Sequence, residues 1–170
     1  KSMKPNSLSY ASIENTPLGI ISVGVSDQGV AELIFNSPSV PAFPAMGLLR
    51  DALVQIDEYL RGKRKIFDLP IDWANMPAFQ KAVLQLTNAI PYGEILTYQQ
   101  IANTLGKPGA ARAVGQAEAK NPIPLIIPCH RVVGTDGRMH GYGGRGGIPT
   151  KVWLLKMEGH KFPDEQLSLF

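Results

Sequence analysis

The sequence predicts an α+β fold, with a small antiparallel sheet and one helix followed by a helical region built on a helix-turn-helix. Three observations carry this. Short β-branched or apolar runs fill the first 35 residues, as strands require. Apolar residues then recur at helical spacing. Finally, Gly106-Lys107-Pro108-Gly109 separates two short helical stretches, which is the helix-turn-helix arrangement.

The elements follow in order. Leu8 to Ile13, Leu18 to Val25 and Val30 to Phe35 read as strands, the last two joined by the turn Ser26-Asp27-Gln28-Gly29. Pro38, Pro41 and Pro44 make Asn36 to Met46 an extended connector, because proline cannot continue a helix. Leu49, Ala52, Leu53, Ile56 and Leu60 share a helix face, and Gly62 ends that helix. Residues 1–75 therefore read as a scaffold domain without evident chemistry. Pro77 opens a second helix through Phe79, Val83, Leu86 and Ile90. Thr97-Tyr98-Gln99-Gln100 is a capping box that starts a short helix through Leu105. The next helix, Ala110 to Ala119, is made of small residues apart from Arg112 and the residues at its far end. Such a surface suits either tight helix packing or close approach to a nucleic-acid groove. A last helix begins near Pro149-Thr150, buries Val152, Trp153 and Leu155, and ends at Glu158 before Gly159. Residues 76–162 form the second domain, and 163–170 a tail.

Composition narrows the function classes. The chain has 170 residues, 44% of them hydrophobic, and a formal charge of +3. That is enough apolar material for a core, in one unit or two small lobes. No apolar run approaches the roughly 20 residues that cross a bilayer, and no signal-like stretch stands at the N-terminus, so a cytoplasmic protein is expected. The charge is uneven: residues 1–75 hold 7 Lys/Arg against 8 Asp/Glu, and residues 76–170 hold 10 against 6. A basic second half is compatible with a polyanionic partner.

Cys129 is the only cysteine, which excludes an intramolecular disulfide and a cysteine-based zinc site. A lone thiol is most often a small buried hydrophobe. Here its neighbours argue otherwise. Three prolines frame Ile123-Pro124-Leu125-Ile126-Ile127-Pro128 and deliver Cys129 and His130 at its far end. A rigid thiol beside an imidazole suggests an activated thiolate. Neighbours on an extended chain point oppositely, so a bridging water would link His130 to the sulfur, and Glu158 is a candidate to charge the imidazole. Downstream, residues 141–147 contain five glycines, allowing backbone to approach a ligand closely or forming a plain surface loop.

Asn121-Pro122 followed by Pro128-Cys129-His130-Arg131-Val132 resembles the active-site signature of the O6-alkylguanine-DNA alkyltransferases, also called methylated-DNA–protein-cysteine methyltransferases. The resemblance continues through Pro91-Tyr92-Gly93-Glu94, Thr97-Tyr98, Ala110 to Gly115, Gly141-Tyr142 and Trp153-Leu154-Leu155 with Glu158-Gly159. It covers residues 76–160 in order, and Thr16-Pro17-Leu18-Gly19 also fits.

The resemblance implies a ribonuclease H-like N-terminal domain and a winged-helix C-terminal domain. It implies direct-reversal repair, in which an alkyl group leaves O6-alkylguanine, or O4-alkylthymine, for Cys129 in a single turnover after base flipping. Tyr98 would help rotate the nucleotide and donate toward guanine N3. His130 would take the thiol proton through water, Glu158 would orient His130, and Asn121 would brace the turn. Val132, Tyr142, Gly143 and Gly144 would contact the base. Arg112, Ala111, Ala113, Gly115, Gln116 and Arg131 would contact duplex DNA from the minor groove, with Arg112 filling the vacated space. The transfer would need no cofactor or metal, and the protein would act as a monomer.

Some positions depart from the family pattern. Gly143 replaces a serine of some members, Gln116 replaces a glycine or alanine, and the stretch from Tyr142 to Lys151 is slightly longer. Rival classes are a non-catalytic alkylated-base binder, disfavoured by Cys129, a helix-turn-helix regulator, and a cysteine hydrolase. The segment Gln166-Leu167-Ser168-Leu169-Phe170 resembles the short peptide with which bacterial DNA-processing proteins dock on the sliding clamp. Removing residues 166–170 should abolish clamp binding and spare alkyl transfer, as read by a pull-down and a transfer assay. Retained clamp binding would refute that assignment.

Overall fold

The structure, a computed structural model, describes residues 7–40, 47–135 and 147–161. The α+β architecture divides into two compact units, Lys1–Asn75 and Met76–Phe170.

In the first unit, β1 (Ser9–Thr16), β2 (Gly19–Val25) and β3 (Val30–Phe35) form an antiparallel sheet in the order β1-β2-β3. Ile21 pairs with Phe35 and Val23 with Leu33, so these four side chains share one face. They are buried together with Ala52, Ile56, Tyr59 and Leu60 of α1 (Gly47–Leu60), which packs on the sheet. The β2–β3 turn closes through Ser26 N–H to Gly29 O at 2.9 Å. Strand β1 runs beyond Ile13 because an irregularity, with Asn15 at φ 59°, returns Thr16 to pair with Gly19. The Pro-rich connector is described only as far as Val40.

The second unit is helical. Helix α2 (Ala78–Asn88) starts after Pro77. The two-residue strand β4 (Leu96–Thr97) leads into α3 (Tyr98–Thr104), where Thr97 Oγ1 accepts from Gln100 N–H and the Gln100 side chain accepts from Thr97 N–H. After the turn comes α4 (Ala111–Ala119). Strand β5 (Val132–Val133) pairs parallel with β4, and α5 (Gly147–Met157) follows. Val83, Ile90, Ile101, Ala102, Val114, Ala117 and Val132 make one cluster that fixes α2, α3 and α4 against β5. In α5, Leu154 is buried and Trp153 only half-buried, contrary to the apolar face expected from sequence. Both a lysine and a tryptophan stand on this helix, and the buried place is taken by Lys151.

Candidate active site

Everything from Ile123 to Gly134 is buried, and as far as Pro128 the segment is held by local hydrogen bonds rather than by regular structure. Asn121 Nδ2 donates to Ile127 O at 2.9 Å while its Oδ1 accepts from Ile123 N–H at 2.9 Å. One side chain thus closes the loop from both ends. Leu125, inside that loop, has φ 72°, which is unusual for a bulky residue and requires such over-determination. Pro128 then opens a 3₁₀ turn, Cys129–Arg131, closed by Arg131 N–H to Pro128 O at 2.9 Å. The extended geometry expected at Cys129-His130 is therefore replaced by a turn.

That turn sends two adjacent side chains to one carboxylate. His130 Nε2 lies 2.7 Å from Glu158 Oε2. Arg131 grips Glu158 in fork fashion, Nε to Oε1 at 2.7 Å and Nη2 to Oε2 at 3.0 Å, and its Nη1 donates to Ile90 O at 2.7 Å. Bidentate charged pairs of this kind are the strong ones. The Glu158 and His130 side chains are 0% exposed. Gly93 N–H donates to Glu158 Oε1 at 3.4 Å, and Tyr92 stacks its ring under the Arg131 guanidinium at 5.6 Å. Arg131, expected to contact DNA, is turned into the protein here. Its side chain is buried and each of its three nitrogens is engaged inside the protein.

Lys151 is the residue the sequence reading missed. Its Nζ donates to Val132 O at 2.8 Å and to the Tyr98 hydroxyl at 3.2 Å, and it lies 5.6 Å from the Tyr98 ring centroid. Burial pushes its pKa down to about 8, opposed by the nearby Cys129 and Glu118. A signal was present: Lys151 lies seven residues before Glu158 on a face otherwise made of Leu154 and Leu155, two helical turns that align the pair.

The electrostatics also correct the expected thiolate. Burial pushes the Cys129 thiol up to about 12, reinforced by Glu118 and opposed by a hydrogen bond from Asn121 and the Lys151 charge. Burial likewise lowers the His130 pKa, against the pull of Glu158. At neutral pH the resting pair is thiol and neutral imidazole. Tyr98 is raised, mainly by burial, and keeps its phenolic proton.

The other candidate residues are placed as follows. Arg112, Ala113 and Gln116 are exposed on α4, and Ala111 is half-buried. Gly115 is half-buried over the Tyr98 ring, where an added Cβ would lie 3.8 Å from it. Val132 is buried, with its carbonyl engaged by Lys151. Tyr142, Gly143, Gly144 and the Gln166–Phe170 segment lie outside the described residues. Among the described residues no group of His, Cys, Asp and Glu side chains could hold a metal, and no helix is long and apolar enough to cross a membrane.

Removing the central carboxylate strands a buried cation. Glu158→Ala should lower the unfolding free energy by about 3–5 kcal/mol, measured by urea denaturation. A loss under about 1 kcal/mol, the scale of an exposed pair, would show that the cluster does not hold the turn.

Residues 8–73 match the family model for the ribonuclease-like domain of 6-O-methylguanine DNA methyltransferase, and residues 78–160 match the model for its DNA binding domain. A methylated-DNA–protein-cysteine methyltransferase of Methanosarcina barkeri is 40% identical over 155 residues, covering 88% of this chain and 96% of that protein. The inducible enzyme of Bacillus subtilis is 40% identical, over 86% of this chain and 82% of its own. The crystal structure of Mycobacterium tuberculosis OGT in complex with DNA superposes with a TM-score of 0.76 at 38% identity, covering 88% of this chain and 92% of that one. With a lone buried cysteine followed in sequence by a histidine paired to a carboxylate, both family models matched along the chain and these relatives covered over 82–96% of their own length, the chain belongs to the methylated-DNA–protein-cysteine methyltransferase family.

Proposed function

We propose that this protein repairs DNA by moving the alkyl group of O6-alkylguanine onto Cys129 Sγ, once per molecule. The observation that carries the reading is the Cys129–Arg131 turn, in which the sole cysteine is followed directly by an imidazole anchored on Glu158. With Nε2 on the carboxylate, Nδ1 is the nitrogen that takes the thiol proton, through an intervening water. The resulting imidazolium is stabilised by Glu158. The sulfur attacks the alkyl carbon, a C–S bond forms, and the C–O6 electron pair stays on guanine. Tyr98 supplies a proton toward N3, and its oxygen accepts from Lys151 Nζ, which stabilises the negative charge developing there. The thioether does not revert, so turnover stops at one.

A base inside a duplex is out of reach of a buried thiol, so the nucleotide must be extruded. The exposed face of α4 supports a minor-groove contact: Ala113 gives it low relief, and Arg112 is the long side chain available to occupy the gap. Gln116 lies on the same face and would touch the backbone or a base edge. The protein is read as a monomer working in the cytoplasm. No residue of the Tyr98, Cys129, His130, Glu158 and Lys151 set requires a cofactor for the transfer.

The test is a mass measurement after incubation with O6-methylguanine duplex. Wild type should gain one methyl group per chain and no more, Cys129→Ser none. Arg112→Ala should slow the gain on duplex far more than on a single strand, where nothing need be filled. An unchanged wild-type mass, or repeated turnover, would refute the reading.

A further inference from the structure

Glu118 is a buried carboxyl that the transfer mechanism does not use. It stands on α4, 3% exposed, pointing away from the groove-facing side chains. Its Oε1 contacts the Thr87 hydroxyl of α2, and its Oε2 is buried with no hydrogen-bond partner among the described residues. An ionised carboxylate buried with one oxygen orphaned is costly, because it forgoes the donors that water would supply.

The proton count at Thr87 points the same way. Its hydroxyl carries one proton. Two oxygens sit at hydrogen-bonding distance from it: Val83 O, at 3.0 Å, and Glu118 Oε1. At most one of the two contacts can use that proton, whereas a proton on the carboxyl, donated to Thr87 Oγ1, would let both be hydrogen bonds.

The surroundings make this proton consequential. The groups acting on Glu118 or acted on by it are Thr87 of α2, Tyr98 of α3, Cys129 of the 3₁₀ turn and Lys151 of α5. We propose that Glu118 is held as a neutral carboxylic acid and acts as a positioning residue for the transfer, keeping a negative charge away from the Cys129 sulfur. Ionised, it would oppose the thiolate and offset the Lys151 ammonium; neutral, it does neither. Burial holds its pKa up at about 8, against a lowering by Thr87 and Lys151, so the acid form prevails at neutral pH and is lost as pH rises through that value. Glu118 and Lys151 titrate as a coupled pair. At every pH the site with an uncharged residue 118 therefore carries at least as much positive charge as the native one. The inference rests on Cys129 being the acceptor.

Two measurements test it. In the infrared, wild type at pH 7 should show a protonated carboxylic acid carbonyl stretch that is missing from Glu118→Gln and fades in wild type above about pH 8. Carboxylate bands alone at pH 7 would overturn the proposal. In the methyl-transfer assay, the ratio of the Glu118→Gln rate to the wild-type rate should rise roughly tenfold from pH 6.5 to pH 9, the effect of one unit in the thiol pKa. A ratio independent of pH would overturn it. Should Glu118→Gln not fold, Glu118→Met carries the same expectation, since it also lacks an ionisable group. If wild type takes up no methyl at all, it is the acceptor assignment that fails, and the infrared result still decides the state of Glu118.

Discussion

The carboxylate of Glu158 lies wholly out of solvent and receives N–H groups from His130 and Arg131, two consecutive residues of one 3₁₀ turn. A charge in that position is tolerable only if it is paired and its lone pairs are filled. Arg131 supplies the countercharge, and the ring of His130 completes the shell. The arrangement fixes three things together. It holds the end of α5 against the turn, it ties the turn to Ile90 just beyond α2 through the remaining guanidinium nitrogen, and it commits Nε2 of the imidazole to the carboxylate. Because Cys129 begins the same turn, its position follows from the same contacts. Catalytic geometry and the packing of the second unit are thus one structure.

Burial explains why so confined a thiol is not a standing nucleophile. A thiolate buried in this shell would pay a large desolvation cost, and the thiol pKa stands near 12. The imidazole is held neutral for the same reason. On the proposed transfer, reactivity is created in place, by moving the thiol proton to His130 next to the Glu158 charge. Lys151 adds a cation near both the sulfur and the Tyr98 hydroxyl. A thiol kept in this form is a weak nucleophile.

The elements that the chain encodes locally were legible. Thr97 and Gln100 form the capping box that their spacing announces, Pro77 opens α2, and the small-residue stretch around Arg112 forms α4. Within the site, His130 and Glu158 meet as their types suggested. What escaped the sequence depends on partners distant along the chain. Arg131 reads as a surface cation until Glu158, 27 positions away, draws it inside. Lys151 gains its role from Val132 and Tyr98, 19 and 53 positions away. Glu118 is hidden by Thr87, 31 positions away. The turn at Cys129 replaces an extended segment because Pro128 O captures the Arg131 amide, a choice made by the surrounding packing.

The central claim is that Cys129 rests as a neutral thiol and becomes a nucleophile only through His130. Since it is the sole cysteine, its ionisation can be followed directly by the ultraviolet absorbance of the thiolate, taking the difference between wild type and Cys129→Ser in the absence of DNA. From about pH 6 to about pH 10, where an ordinary thiol would ionise, the difference should stay flat while the protein remains folded. A thiolate signal appearing at or below neutral pH would contradict the account.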